Sequence, residues 1–282
     1  MKKVWSLWLA LSLFSLMFAS AAFGEKAGGG GGGKAGTTLN ASVTAEGYRV
    51  KKMTYDWSIA KSVNIERPVV ERSKPFTLAY TLKATRTLIS ETEQTGVRGV
   101  VTVTNGGAKP TENLKIVAFL ENVPGASATV IPSEPLAPGQ TKSYPVSMVF
   151  AGSSSSSYKL VAQVTITNHS GSLGIPKGPT PKQGGIKIPA SAMIESVDAS
   201  AVINDAAVCP TGFTCTPNKP ATWTLNQSGD ISYSMTVTNS SAPAKSLFAL
   251  VNTARLTENT SGEQRSASKT VLIFTGCGCT GP

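Results

Sequence analysis

Four cysteines, Cys209, Cys215, Cys277 and Cys279, are the residues whose type and spacing most directly suggest chemistry. In an exported chain an even number reads first as two disulfides, and four cysteines allow three pairings. Cys209 and Cys215 enclose the short loop Pro210-Thr211-Gly212-Phe213-Thr214, which can fold back on itself, so a local 209–215 bridge is the favoured pairing. Cys277-Gly278-Cys279 is too tight for a relaxed bridge, since bridged Cα atoms usually lie about 4.4–6.8 Å apart. Either that pair is strained, or one of its members reaches back toward Cys209 or Cys215. The spacing lacks the paired C-x2-C of a zinc ribbon, so no metal site is expected.

Other candidate chemistry is thin. His169 is the single histidine, placed in a turn between Asn168 and Ser170, which severely limits a histidine-based triad or a multi-histidine metal site. Ser58-Ile59-Ala60-Lys61 matches the S-x-x-K of serine β-lactamases. That chemistry needs both residues on one helical turn, whereas the surrounding alternation predicts a strand with Ser58 and Lys61 on opposite faces. Ser156 to Lys159 and Ser266 to Lys269 match equally well, so the pattern is cheap here. Gly28 to Lys34 supplies G-x4-G-K, but Ala35 follows where a phosphate loop needs Ser or Thr, and no strand precedes it. Glu91, Glu93, Glu112, Glu121, Asp198, Asp205, Asp230, Glu258 and Glu263 are scattered, without the carboxylate pair of a glycosidase signature. No D-x-D-x-D-G loop is present; a surface calcium on Asp205 or Asp230 is the residual metal reading. Asn40, Asn168, Asn226, Asn239 and Asn259 each open an N-x-S/T triplet. The expectation is a chain with no catalytic residues and no cofactor.

The segment carrying these residues begins with a leader. Lys2 and Lys3 precede an apolar stretch from Val4 to Phe18, and Ala19, Ser20 and Ala21 offer a small-residue cleavage site. The stretch is shorter than the roughly 20 apolar residues of a spanning helix and no basic stop-transfer cluster follows, so cleavage is expected and no integral span in the mature chain. Of 282 residues, 26 are Lys or Arg and 16 Asp or Glu, a net charge of +10 without runs of like sign. Nucleic acid is therefore not an expected partner. Only 15% of residues are charged, against roughly 25% in a typical domain. Thr, Ser, Val, Ala and Gly fill the difference, which favours short strands and turns over exposed helices.

Alternation of apolar and polar residues with period two marks the strands. One inward set is Tyr55, Trp57 and Ile59; others are Phe76 to Leu82, Val101 and Val103, Leu114 to Leu120, Tyr144 to Phe150, and Leu160 to Ile166. Turn residues separate them at Asn105-Gly106-Gly107, Pro138-Gly139 and Asn168 to Gly171. Residues 173–190 are rich in proline and glycine and read as a linker. Beyond it Ile231, Tyr233, Met235 and Val237 alternate, and Phe248 to Leu256 and Thr270 to Phe274 supply further strands. The organisation is then a signal peptide (1–24), a glycine-rich tether (25–43), a β-sandwich (44–172), a linker (173–190) and a second, cysteine-bearing sandwich (191–282). Trp57 and Trp223, one in each region, are expected as core aromatics. Val101 to Asn105, Val164 to Asn168 and Met235 to Asn239 are variants of one pattern, Val or Met followed by T-x-T and an asparagine turn.

Trp57 within Tyr-Asp-Trp-Ser-Ile-Ala-Lys, these V-T-x-T-N strands, Leu136-Ala-Pro-Gly139 and Asn252-Thr-Ala-Arg-Leu-Thr-Glu258 resemble the conserved-repeat modules of bacterial and archaeal secreted and cell-surface proteins. The resemblance spans most of residues 45 to 275. It implies an all-β chain of two immunoglobulin-like antiparallel β-sandwiches, working as stalk, spacer or adhesive unit, with no catalytic residues. No wall-sorting motif or terminal span accompanies it. The function expected is a non-catalytic, secreted or cell-surface structural or adhesion protein. Its partners would be an envelope component, a cell-wall polymer or another surface protein. The alternative is an extracellular carbohydrate-binding module or accessory subunit of a hydrolase, which needs exposed aromatics in a chain where aromatics make up only 7%.

Overall fold

The computed structural model describes residues 36–276. The leader, most of the glycine tether, Cys277 and Cys279 lie outside the described residues. Those described are all-β, without helix, and form three sheets.

Two long antiparallel strands, β1 (Leu39–Val63) and β3 (Pro75–Asn105), run side by side through the whole unit. Their ladder extends from Leu39 opposite Asn105 to Val63 opposite Tyr80. The free edge of β3 is shared: β13 (Gly229–Asn239) pairs with residues 75–84, and β6 (Thr141–Val149) with residues 96–104. β11 (Phe213–Pro217) extends the sheet beyond β13, and the short β9 (Met193–Val197) lies parallel to β1 at residues 50–54.

Two smaller sheets face this spine. One joins β5 (Ser127–Val130), β4 (Lys115–Leu120), β7 (Tyr158–Thr165) and β8 (Lys182–Ile186). The other joins β12 (Thr222–Leu225), β10 (Ala201–Val208), β14 (Leu247–Glu258), β15 (Gln264–Thr275) and β2 (Val69–Val70). Each closes a separate hydrophobic cluster. The first holds Leu39, Val97, Val101, Val103, Ile116, Leu160 and their neighbours; the second holds Trp57, Leu78, Leu82, Ile203, Leu250 and Leu256 with theirs.

Alternation explains which side chains enter the clusters. In β1 the residues that enter either cluster are odd-numbered, from Leu39, Ala41 and Val43 to Trp57, Ile59 and Val63. In β3 the inward set changes parity, from Leu78, Tyr80, Leu82 and Ala84 to Val97, Val101 and Val103. The change is made by one extra residue: Thr54 pairs with Ser90 and Tyr55 with Leu88, leaving Ile89 as a bulge without a partner. Between the clusters the ribbon carries charged side chains, with Arg49–Glu93 at 3.4 Å and Lys51–Glu91 at 2.6 Å, while Arg98–Glu46 at 2.7 Å is exposed alongside the first cluster. Gly47 lets the Lys187 carbonyl pack where a Cβ would sit.

The clusters do not divide the chain in two at the proline- and glycine-rich stretch. Residues 57–84 pack with residues 201–273, so Trp57 and Trp223 belong to one core rather than one to each. The stretch 173–190 holds β8 and buries Ile186 and Ile188 in the first cluster. Strand β1 opens inside the expected tether, because Leu39 and Val43 continue its inward alternation.

The shared spine predicts that the two cores unfold together. Trp57→Ala removes a fully buried side chain and should cost about 3–5 kcal/mol. Denaturant titration should show a single transition at a lower midpoint. Hydrogen exchange at Ile116 and Leu160, in the other core, should quicken with it.

Candidate functional site

The second cluster is not purely apolar. Lys61 occupies an inward position of β1 between Ile59 and Val63, and its ammonium pairs with Asp205 Oδ1 on β10 in the facing sheet. The two side chains are 0% and 5% exposed. The Tyr233 hydroxyl donates to Asp205 Oδ2, and Asn252 Nδ2 donates to Tyr233 Oη at 2.7 Å. Tyr80 and Tyr233 are opposite one another on β3 and β13, so their rings stack, with centroids 5.3 Å apart and planes at 14°. Lys61 Nζ lies over both rings, at 5.2 and 5.8 Å from their centroids. Trp223 leans on Tyr233 at 5.9 Å and 35°.

This arrangement supports the charges in a poor solvent. Ring faces are negative and attract the ammonium, while the carboxylate accepts from both Lys61 and a phenol. Burial pulls the Lys61 ammonium below its usual range, against the opposing pull of Asp205. Burial pushes the Tyr80 phenol up to about 12. Tyr233 rises as well, first through burial and then because its hydrogen bond to Asp205 needs the proton. Two polar atoms of the cluster, Tyr80 Oη and Asn252 Oδ1, are buried with no hydrogen-bond partner.

A cleft of about 290 Å³ opens beside the cluster, lined by Asp205, Lys219, Trp223, Tyr233, Met235 and Asn252. Cys209 and Cys215 form a disulfide at its rim, with Cα atoms 5.9 Å apart. Cys209 follows β10 and Cys215 lies in β11, so the bridge also joins the two facing layers.

A second polar group fixes Trp57. Its backbone N–H donates to Glu258 Oε1 at 3.0 Å, and its indole Nε1 donates to the Asp198 carbonyl at 2.8 Å. Burial raises the Glu258 carboxyl, and Ser261 Oγ donates to its other oxygen at 2.9 Å. Asp56, Glu258 and Glu263 bring their oxygens within 4.8 Å of one another. Arg265 already binds Asp56 at 2.9 Å and Glu263 at 2.8 Å, so this acidic group is answered by a cation of the chain itself.

Of the residues singled out by sequence, Trp57 is fully buried and Trp223 half-buried on the same core. The 209–215 bridge is present. Ser58 is exposed and Lys61 points inside, which separates the two members of the S-x-x-K match. His169 is half-buried in its turn, with Nδ1 at 2.9 Å from the Ser170 carbonyl oxygen. The Asp205 carboxylate faces the interior, not the surface where a calcium was considered, and Asp230 is exposed. The asparagines ending the repeated strands are buried. Asn105 Nδ2 donates to the Lys109 and Leu136 carbonyls, Asn168 bonds Glu112 N and Pro110 O, and Asn239 accepts from Ala242 N. Their side chains hold turns, whereas Asn40, Asn226 and Asn259 are exposed.

Lys61, Tyr80, Asp205, Tyr233 and Asn252 were not recognised from sequence as a group. Their signal was positional: each falls on the inward parity of its strand, where charged and amide side chains are rare. No protein-family model matches the chain, and no curated protein matches it. No helix among the described residues is long and apolar enough to cross a membrane.

Two outcomes follow. A phenol whose folded value is raised keeps its proton when the unfolded chain has lost it, so folding stability is complete below the ordinary value of 10.0 and falls as pH climbs toward about 12. Urea midpoints measured across that window should drop, and Tyr80→Phe should flatten the drop. Replacing Cys209 and Cys215 together by serine frees a short loop and should cost about 2 kcal/mol, read as a lower urea midpoint with an unchanged circular dichroism spectrum.

Proposed function

We propose that this chain is an exported, non-catalytic protein of the cell surface or its surroundings, built from immunoglobulin-like β-sandwich modules that space or bind. The observation carrying this reading is the spine common to both cores. A ladder of 25 residues in β1 spans on the order of 80 Å at about 3.3 Å per residue, and it passes from one core to the other without a loop. A pull or a separation imposed on the two cores acts on interstrand hydrogen bonds rather than on a flexible tether. Spacing is a task this geometry performs well.

Further support comes from where the polar chemistry goes. Lys61 and Asp205 are turned toward each other, and Arg265 engages Asp56 and Glu263. The leader at Lys2 to Ala21 and the disulfide both fit a chain that works outside the cytoplasm. The partner envisaged is an envelope component, a cell-wall polymer or another surface protein, reached by loops at the sandwich ends or by strand addition at an exposed edge.

Fractionation of producing cells tests the proposal. The protein should lack residues 1–24 and be found in the envelope fraction or the medium, with retention on that envelope lost when residues 36–276 are deleted. Full-length chain retained in the cytoplasm would overturn it. Saturable retention on insoluble polysaccharide, abolished by Trp223→Ala, would instead make it a glycan-binding module.

A further inference from the structure

We propose that Lys61 and Asp205 condense into an intramolecular amide that covalently ties β1 to β10 across the second core. Three observations lead there. The amine and the carboxyl are in contact and almost wholly buried, with side chains 0% and 5% exposed and Asp205 alone reaching the wall of the cleft. They come from facing sheets and lie 144 residues apart in sequence, so the fold alone has brought them together. The surroundings are those of an acyl transfer site: the Tyr233 hydroxyl donates to the carboxyl oxygen that Lys61 does not touch, and Asn252 Nδ2 orients that phenol by donating to Tyr233 Oη. Asn252 Oδ1 is a buried acceptor left without a donor.

The chemistry balances within the pair. A proton passes from ammonium to carboxylate, a transfer that a desolvated environment favours because it replaces two buried charges with two neutral groups. The resulting amine nitrogen attacks Asp205 Cγ. The Nζ–Cγ bond forms and the bond from Cγ to Oδ1 breaks. Of the three protons that began on Nζ, one stays as the amide N–H and two leave with Oδ1 as water. Nothing is oxidised or reduced, and no co-reactant is required. Tyr233 holds Oδ2, which carries negative charge in the tetrahedral intermediate and becomes the amide carbonyl. Holding two reactants in contact substitutes for the concentration that amide formation otherwise lacks in water, with effective molarities on the order of 10⁵ M or more in well-oriented cases. Burial that pulls the Lys61 ammonium down favours the neutral nucleophile, against the opposing pull of Asp205. Exclusion of water then opposes hydrolysis of the product.

Intact-mass measurement on the folded protein as isolated from producing cells decides the matter, after reduction and denaturation and with the N-terminus identified by peptide sequencing. Taking the full sum as the mass of the linear, reduced chain, the expected mass is one water below it, and digestion should yield one branched fragment joining the Lys61 and Asp205 peptides. Lys61→Arg keeps a cation but offers no acylable amine, so it should show the full sum with an unchanged circular dichroism spectrum. Tyr233→Phe should give a mixture in which the uncondensed species persists for longer. Wild-type protein at the full sum after prolonged incubation would overturn the proposal, leaving an ordinary ion pair. So would a water loss confined to a linear Asp205 peptide, which signals cyclisation at that aspartate. Should the variants not fold, the wild-type mass and fragment map still give the answer.

Discussion

Pairing between β1 and β3 is the constraint on which the rest of the molecule depends. Every other strand of the large sheet attaches to one of these two directly or through β13, and both smaller sheets find their cores against inward residues of the same pair. Antiparallel ladders in which one face is apolar fix their own register, because a slip of one residue turns every inward side chain outward. Here the requirement holds twice on one pair of strands, once for each core. Loss of register in either half would propagate to the other through an unbroken backbone ladder. That coupling makes a single compact unit of residues that hold two distinct cores.

Polar groups inside the second core are arranged to satisfy one another rather than to meet solvent. Lys61 and Asp205 would be costly alone, and together they are surrounded by two stacked phenol rings and an amide. Trp57 is held by a carboxylate at its backbone and a carbonyl at its ring, so the largest fully buried side chain of that core is oriented by hydrogen bonds as well as by packing. These groups and the Cys209–Cys215 bridge draw the spine sheet and its partner sheet together within one end of the molecule.

Much of the strand content was legible from alternation alone. Phe76 to Leu82, Ile116 to Leu120, Tyr144 to Met148 and Ile231 to Val237 all send inward the residues that period two assigns. Alternation is a local property, and it succeeds wherever one strand faces one core. It does not report which core. Trp57 lies within the first stretch of strands in the sequence yet packs with residues 201–273, because β1 is long enough to leave the first cluster and enter the second. The stretch 173–190 looked like a break on account of its prolines and glycines, while Ile186 and Ile188 were enough to anchor it. As a motif, Lys61 is only half of an S-x-x-K match with Ser58. Its inward parity, shared with Trp57 and Ile59, was the stronger clue, and Asp205 carries the matching one on β10 beside Ala201 and Ile203.

The unpaired Ile89 has a consequence for how such a chain can change length over generations. Turns at the ends of the spine can gain or lose residues with little effect on either core. Inside β3 the count is bound by evenness: with one residue added, Val97 and Val101 would trade places with Arg98 and Thr102, while Leu78 to Ala84 stayed as they are. Only a second change of odd length before Val97 would restore the original faces. Spine segments of related chains should therefore differ by even numbers between the two cores, a rule of arithmetic imposed on the genome by a single kink in one strand.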